Sequence, residues 1–135
     1  MNRIFQHYEG EIEALSGSHF STVKAVVNFL DNSVVVLWLH DKRKEFWCRL
    51  FIDGIYCGID QFSEDKSLED MDDDIIIIDH STWFQAKILL KAKVFSGNGG
   101  LPDMVASLEF AKSECQLIYR AKHDKCELTF TEYEG

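Results

Sequence analysis

An Asp-Gly pair near the middle of the chain, Asp53-Gly54, is the feature that most restricts the fold. This dipeptide favours the two-residue turn of a β-hairpin, and apolar residues alternate with other residues on both sides of it. A turn at this position pairs Ile52 with Ile55. One face of the hairpin then holds only apolar residues, namely Phe46, Cys48, Leu50, Ile52, Ile55, Cys57 and Ile59. Turn chemistry and side-chain pattern agree, so the sequence predicts an antiparallel hairpin whose apolar face meets a core.

Alternation with a period of two continues elsewhere in the chain. Residues 22–30 and 34–40 are rich in β-forming residues, and the intervening Asp31-Asn32-Ser33 predicts a second hairpin. Alternate residues between 83 and 95 are apolar, and lysines dominate the intervening positions, which predicts one long half-buried strand with a solvated lysine face.

Shorter segments complete the predicted sheet. Ile75–Ile78 is a continuous apolar run flanked by acids, which indicates a strand buried on both faces. Residues 3–8 and 11–15 predict two short strands that break at Gly10. Residues 126–131 alternate as a closing strand.

Residues 103–119 fit two different patterns. Pro102 suits the first turn of a helix, and apolar residues then recur at helical spacing. This stripe consists of Met104, Leu108, Ala111, Cys115 and Ile118. The alternative is a pair of strands, whose alternating residues would be Ala106, Leu108 and Phe110, followed by Cys115, Leu117 and Tyr119. We favour the helix, because Ala, Glu, Lys and Leu are good helix formers.

Together these segments predict an α+β fold that is mainly β. We expect a single domain over residues 1–135, since a chain of this length buries roughly two-thirds of its unfolded surface. The predicted architecture is an antiparallel meander sheet of about seven to nine strands, a sandwich or half-barrel, with one C-terminal helix.

Acidic residues are concentrated in one segment. The chain has a net charge of −9, and residues 60–79 contain nine acids and one base, Lys66, so this segment carries −8 of it. A charge block of this kind is usually an interaction surface or a solvated loop. Because the block lies between the Asp53-Gly54 hairpin and Ile75–Ile78, we expect a negative loop tethered to a folded scaffold.

Composition argues against several classes of function. A pI near 4.9 argues against direct nucleic-acid binding, because phosphate contacts need clustered Lys and Arg. No apolar stretch approaches the length of a membrane span or a signal peptide, so we expect a cytoplasmic protein with no membrane partner. The four cysteines show neither C-x-x-C nor zinc spacing, and reduced thiols are expected. Cys48 and Cys57 are predicted to be diagonal neighbours on the core face of the hairpin.

Two residues in and after the acidic segment argue against a calcium-binding loop. Asp70, Asp72 and Asp74 match the first ligands of a calcium-binding loop. Ile75 stands where that loop needs Gly, and Ser81 stands where it needs Glu. We therefore expect no dedicated metal site, and at most loose cation binding by the carboxylate cluster.

Motifs for catalysis or cofactor binding are equally incomplete. Asp79-His80-Ser81 contains the residue types of a hydrolytic triad, but adjacency in sequence does not produce triad geometry. The loop S-G-N-G-G at 96–100 lacks both phosphate-loop motifs. The sequence therefore predicts no catalytic residue and no cofactor.

Aromatic residues collect on the second face of the Asp53-Gly54 hairpin. Trp47, Phe51 and Tyr56 lie there, with Arg49 among them and Phe62 close by. One interpretation is that a second layer of the fold covers them. The other is an exposed aromatic patch beside the acidic block, since interface anchors are rich in Trp, Tyr and Arg.

In broad character the chain resembles small acidic bacterial immunity proteins of contact-dependent and polymorphic toxin systems. The resemblance consists of size, acidity, an antiparallel sheet with a late helix, and the sequence W-F-Q-A-K-I-L-L-K-A-K-V-F before that helix. Such proteins neutralise toxins, nucleases among them. The resemblance implies a non-enzymatic protein-binding inhibitor, and it assigns no role to individual residues.

The sequence thus predicts an inhibitor whose acidic loop covers the basic active-site surface of a protein partner, either a toxin or another nucleic-acid enzyme. The predicted partner-binding residues are Glu64, Asp65, Glu69, Asp70, Asp72, Asp73, Asp74, Trp47, Tyr56 and Phe62. Two alternatives stay open. One is a phage-type antagonist of a host defence enzyme, and the other is a β-barrel or sandwich module that binds a small molecule.

Overall fold

Two antiparallel β-sheets that share one core make up the fold. The computed structural model describes residues 2–54, 56–70, 72–96 and 103–133. The first sheet has the spatial order β1 (Asn2–His7), β6 (Tyr56–Phe62), β5 (Phe46–Asp53), β4 (Ser33–Asp41), β3 (Phe20–Asn28) and β7 (Ile75–Asp79), with strands numbered in chain order. The second sheet has the order β11 (Lys125–Glu132), β10 (Ser113–Arg120), β9 (Met104–Glu109), β8 (Lys91–Ser96) and β2 (Gly10–Glu11).

The core lies between the two sheets. Buried side chains come from alternate positions of the strands, as the period of a β-strand requires. They include Val23, Ala25, Leu37, Leu39, Leu50 and Ile59 of the first sheet, and Ala92, Val94, Ala106, Leu108 and Leu117 of the second. The prediction of an antiparallel, mainly β fold is confirmed, and the strands lie in two layers.

The predicted strand number and the predicted C-terminal helix are wrong. The described residues form eleven strands, and their one α-helical segment is the single turn α1 (Ser81–Phe84). The residues predicted as a helix form β9 and β10 instead. β9 lies at the centre of the second sheet with five of its six residues buried, so burial on both faces hides its alternation. Pairing with strands on both sides outweighs the helix propensity of its residues.

The long strand predicted over 83–95 is interrupted. Its second half forms β8, but its first half is α1 and an irregular segment. Ala86 has a φ of 60°, a left-handed conformation that ends an extended run. Phe84 is fully buried and packs edge-on against Phe20, with ring centroids 6.3 Å apart. The segment therefore packs into the core between the sheets.

The central hairpin forms with the predicted faces but in a different register. β5 and β6 pair Ile52 with Cys57, two residues from the predicted pairing. A shift of two residues leaves each side chain on its face, so Cys48 and Cys57 are both buried as predicted. Cys48 now lies opposite Gln61, and the two cysteines are not diagonal neighbours. Ile55 lies outside the described residues, as do most of the loop at 96–100 and Pro102.

Two of the remaining strand predictions are confirmed. β3 and β4 form the second hairpin around Asn32, whose φ of 61° fits a tight turn. β11 is the closing strand, paired with β10. Near the N-terminus, β1 and β2 form, but the predicted strand at 11–15 gives way to a 3₁₀ turn, Glu13–Leu15.

Ile75–Ile78 forms a strand, but its predicted burial on both faces is wrong. β7 is the edge strand of the first sheet and pairs with β3 alone. Ile76 and Ile78 are 42% and 40% exposed. An edge strand lacks a neighbour on one side, so its side chains stay open to solvent.

Candidate protein-binding surface

The acidic segment forms a connection across the outer face of the first sheet. Residues 63–74, here called the acidic connection, join β6 to β7, and three strands of the sheet lie between these two. Lys24 alternates with the core residues Val23 and Ala25, so its side chain lies on the face away from the core. The Lys24 Nζ atom lies 2.6 Å from Asp65 Oδ2, which places the acidic connection on that outer face.

Asp65 tethers the acidic connection to β3. Its carboxylate accepts hydrogen bonds from Lys24 Nζ at 2.6 Å and from the backbone N–H of Ser67 at 2.9 Å. Burial disfavours the ionised carboxylate, but the hydrogen bonds from Lys24 and Ser67 outweigh it and hold the pKa of Asp65 below its ordinary value. Ser67 itself is fully buried at the start of the 3₁₀ turn Ser67–Asp70.

Four other acids of the connection point outward. The Glu64 and Glu69 side chains are 75% and 71% exposed, and the nearest cation, Lys66 Nζ, is 3.7 and 3.8 Å from them. Asp72 and Asp73 are exposed, while Asp74 is half-buried. The side chain of Asp70 lies outside the described part of the chain. The result is an exposed anionic surface anchored to the sheet by Asp65, whose own side chain is 29% exposed.

An apolar side chain lies in the middle of this surface. Leu68 belongs to the 3₁₀ turn and is 75% exposed, the highest exposure among the large apolar residues of the described chain. Its neighbour Ser67 is buried, so the turn holds Leu68 away from the sheet. Sequence reasoning did not select Leu68, because a single Leu in a charged run gives no periodic signal.

Two of the predicted aromatic residues lie beside the acidic connection. Trp47 and Phe62 are cross-strand partners, and both pack against the fully buried Trp38, with ring centroids 6.5 and 5.1 Å from it. Lys24 Nζ lies 5.6 Å from the centre of the Trp47 ring. Both rings are half-buried, so they offer only part of their surface to solvent.

The third predicted aromatic residue is not part of this group. Tyr56 pairs with Asp53 at the far end of the hairpin, whereas Trp47 and Phe62 pair at the near end. Tyr56 packs there against Phe51, with ring centroids 6.2 Å apart. The structure thus brings together the acidic residues, Trp47 and Phe62, and separates Tyr56 from them.

Asp60 belongs to an ion-pair cluster and does not contribute to the exposed negative charge. Asp60 is fully buried, and its carboxylate contacts Arg3 Nε and lies 2.9 Å from Arg49 Nη2. Burial by itself would raise the pKa of Asp60. The hydrogen bonds from Arg3 and Arg49 have the larger, opposite effect, so the pKa lies below its ordinary value. Asp60 therefore stabilises the sheet and is not available to a partner.

The cysteines are poor nucleophiles in this fold. All four are free and buried. Burial raises the pKa of Cys48 and Cys57 to about 12 and that of Cys126 to about 11, and it raises the pKa of Cys115 further. A thiol must ionise to attack a substrate, and these thiols stay protonated near neutral pH.

Asp79-His80-Ser81 forms the turn between β7 and α1. Asp79 Oδ1 accepts a hydrogen bond from the Ser81 N–H at 2.8 Å, and Ser81 Oγ accepts one from the Val23 N–H at 2.9 Å. His80 packs against Phe130 at 5.1 Å, and burial lowers its pKa. Within the described residues, no three His, Cys, Asp or Glu side chains are placed to hold a metal.

Two grooves of about 530 Å³ each are open to the surface of the described chain. One lies beside the segment that precedes β8 and is lined by Ile88, Leu90 and Tyr133, and the other lies beside β8 and is lined by His7, Lys91 and Phe95. Between the sheets, fully buried side chains such as Leu37, Phe20 and Phe84 fill the described part of the core. These observations do not favour an interior ligand site.

No protein-family model, no curated protein and no solved structure matches this chain. None of the helical segments within the described ranges has both the length and the apolar character of a membrane span.

Proposed function

We propose that this chain is a protein-binding inhibitor that covers a basic surface of its partner with the acidic connection. The observation that carries the proposal is the tether of the connection. Asp65 binds Lys24 on the sheet, while Glu64, Glu69, Asp72 and Asp73 face solvent. A fixed anionic surface loses less conformational freedom on binding than a free loop would.

The chemistry of this surface suits a cationic protein site. Clustered carboxylates steer a basic partner during encounter and occupy the positions of anionic substrate groups such as phosphates. Leu68 provides an apolar contact in the middle of the charged area, as interface cores require. Among basic protein surfaces, the cleft of a nuclease or another nucleic-acid enzyme matches this charge pattern best.

In biological terms the proposed role is that of a bacterial immunity protein. It would act in the cytoplasm, without catalysis of its own, and neutralise a toxin encoded beside it. A phage-encoded antagonist of a host defence enzyme uses the same chemistry, and the identity of the adjacent genes separates the two roles. The small-molecule alternative has less support, because side chains fill the described space between the sheets.

Co-expression with the product of the adjacent gene tests the proposal. We expect a stable complex on size exclusion, loss of the partner's activity in the complex, and survival of cells that die when the partner is expressed alone. Co-expression with the variant in which Glu64, Glu69, Asp72 and Asp73 are reversed to Lys should restore toxicity. Elution of the two wild-type proteins as separate species, with toxicity undiminished, would contradict the proposal.

A further inference from the structure

The open edge of β7 continues directly from the acidic connection. β7 pairs with β3 on one side, and no described strand pairs with it on the other. The strand spans Ile75–Asp79, immediately after the acids Asp72–Asp74. Its length of roughly 17 Å, at about 3.3 Å per residue, is enough for a further strand to pair along it.

Backbone hydrogen bonds define which positions of β7 bond to β3. The His80 N–H donates to the Val23 carbonyl at 2.8 Å, beyond one end of the strand. The Phe29 N–H donates to the Asp74 carbonyl at 3.0 Å, beyond the other end. Bonded pairs alternate along an antiparallel ladder, so the even-numbered positions of β7 face β3.

The odd-numbered positions consequently face the open edge. Ile77 and Asp79 direct their backbone N–H and C=O groups away from β3. Within the described residues, no hydrogen bond uses these outward groups of Ile77. Unpaired donors and acceptors in a row are the template on which a further strand can be added.

The side chains along this edge are apolar. Ile76 and Ile78 are about two-fifths exposed, and Phe29, joined to Asp74 by its backbone hydrogen bond, is also exposed. Edge strands usually carry a charge or a bulge that prevents pairing. In β7 the acids flank the apolar run at both ends, as Asp74 and Asp79, and leave its centre uninterrupted.

Charge decides what kind of strand can pair here. If the β7 strands of two copies of this chain paired antiparallel, the acids before β7 in one copy would lie beside Asp79 of the other. If they paired parallel, the same acids of the two copies would lie beside each other. Like charges directly opposite each other destabilise strand pairing. A suitable strand has apolar residues at its centre and Lys or Arg at its ends. Its apolar residues would contact Ile76 and Ile78, and its cations would lie beside the flanking acids.

We propose that the β7 edge receives an extended basic segment of a protein partner, which pairs with Ile75–Asp79 as an additional strand of the first sheet. This inference deepens the proposed function, since it states how the basic partner is held beside the acidic connection. The partner's cationic side chains lie beside Asp72–Asp74 and Asp79, and its backbone bonds to Ile77.

The test uses a peptide that does not depend on the natural partner. The probe is acetyl-Lys-Val-Thr-Val-Thr-Val-Lys-amide, with a matched peptide in which Glu replaces both lysines. We expect saturable binding of the lysine peptide, slower amide hydrogen exchange at Ile77 and Asp79, and at least about tenfold weaker binding of the glutamate peptide. Binding of the lysine peptide without protection of these amides would overturn the proposal, as would failure to bind at millimolar concentration.

A proline substitution locates the contact. Ile77→Pro removes an N–H that the fold does not use, and proline is tolerated at such edge positions. Leu128→Pro is the matched control, because Leu128 is a half-buried aliphatic residue of β11, the edge strand of the second sheet. We expect Ile77→Pro to weaken peptide binding by about tenfold or more and Leu128→Pro to leave it unchanged. Equal peptide binding by the two variants would count against the β7 edge. If Ile77→Pro does not fold, the amide exchange measurement on the unmodified chain tests the proposal instead.

Three further results test the occupant of the edge and separate this inference from the proposed function. If the chain without peptide forms dimers that Ile77→Pro abolishes, the edge pairs with a second copy, and the basic occupant is wrong. If Ile77→Pro binds the adjacent gene product as tightly as the wild type does, the inhibitor role stands while strand addition fails. If the peptide protects Ile77 but the adjacent gene product does not bind, strand addition stands while the inhibitor role fails.

Discussion

The Nζ atom of Lys24 lies 2.6 Å from Oδ2 of Asp65, and this contact joins β3 to a connection 41 positions further along the chain. The contact fixes the path of the acidic connection over the outer face of the sheet. It also divides the acids of the connection by role, because Asp65 holds the segment while its neighbours face solvent. A loop that sequence describes only by its charge thereby becomes a surface of defined orientation.

Asp65→Asn should loosen this tether. We expect a loss of about 0.5–1 kcal/mol in the free energy of unfolding at pH 7, the size of a partly exposed ion pair, and faster amide exchange across residues 63–74. The folded-state pKa of Asp65 is depressed, so its contribution is present above the unfolded value of about 3.9 and is lost as the pH falls through the folded pKa. The difference between wild type and variant in urea unfolding should therefore shrink at low pH. Asp73→Asn, on an exposed acid of the same connection, should change neither quantity.

Asp60→Asn should cost considerably more. The substitution removes the one carboxylate that Arg3 and Arg49 share, and that carboxylate is fully buried although both arginine side chains are partly exposed. We expect the free energy of unfolding to fall by about 2–4 kcal/mol, as measured by urea unfolding. Arg3→Met should lower the free energy of unfolding by less, because Asp60 keeps its ion pair with Arg49. A loss below about 0.5 kcal/mol for Asp60→Asn would show that the cluster does not stabilise the sheet.

The buried thiols should make the protein less stable in alkaline solution. Burial raises the pKa of Cys57 to about 12, whereas a thiol in the unfolded chain has a pKa of about 8.5. Its contribution is constant below the unfolded value and is lost as the pH rises toward the folded one, at about 1.4 kcal/mol per pH unit. Urea unfolding at pH 8 and pH 10 under reducing conditions should show this decline, and Cys57→Ala should reduce its slope. Equal slopes in the two proteins would contradict the prediction.

Reversal of four exposed acids should slow partner association. With Glu64, Glu69, Asp72 and Asp73 changed to Lys, we expect the association rate at low salt to fall by about tenfold or more, with thermal stability preserved. The wild-type rate should itself fall as ionic strength rises, because salt screens the attraction.

The matched control carries the same charge change away from the outer face. It reverses four exposed acids of β2, β11 and the segments beside β2, namely Glu9, Glu11, Glu13 and Glu132. This control should keep most of the wild-type association rate. If both variants slow association equally, net charge rather than the acidic connection steers the partner.

Prediction from sequence worked where two local signals agree. At Asp53-Gly54 the turn residues and the alternation of apolar residues point to one hairpin, and its core face is as predicted. The register of the hairpin differs from the prediction. Sequence pattern does not determine it, because a shift of two residues keeps every side chain on its face and leaves the pattern unchanged. At 103–119 the pattern was ambiguous, and the helix prediction failed because β9 is buried on both faces and has no polar side to reveal a strand period.

The candidate surface was predictable only as a charged segment between strands. Its four exposed acids were among the predicted residues, but the inward roles of Asp65 and Asp60 follow from contacts with Lys24, Arg3 and Arg49. Those residues are distant in sequence, and no local pattern relates them. The open edge of β7 was likewise hidden, because a continuous apolar run is equally consistent with a central strand.

The mainly β character of the chain, the faces of its central hairpin and the position of its negative charge follow from local sequence, since each depends on residues near one another. The order of the strands, which makes β7 an edge, and the path of the acidic connection over the sheet are visible only in the folded chain. Both result from pairings between distant segments, whose energies depend on which surfaces meet and not on the local pattern of either segment.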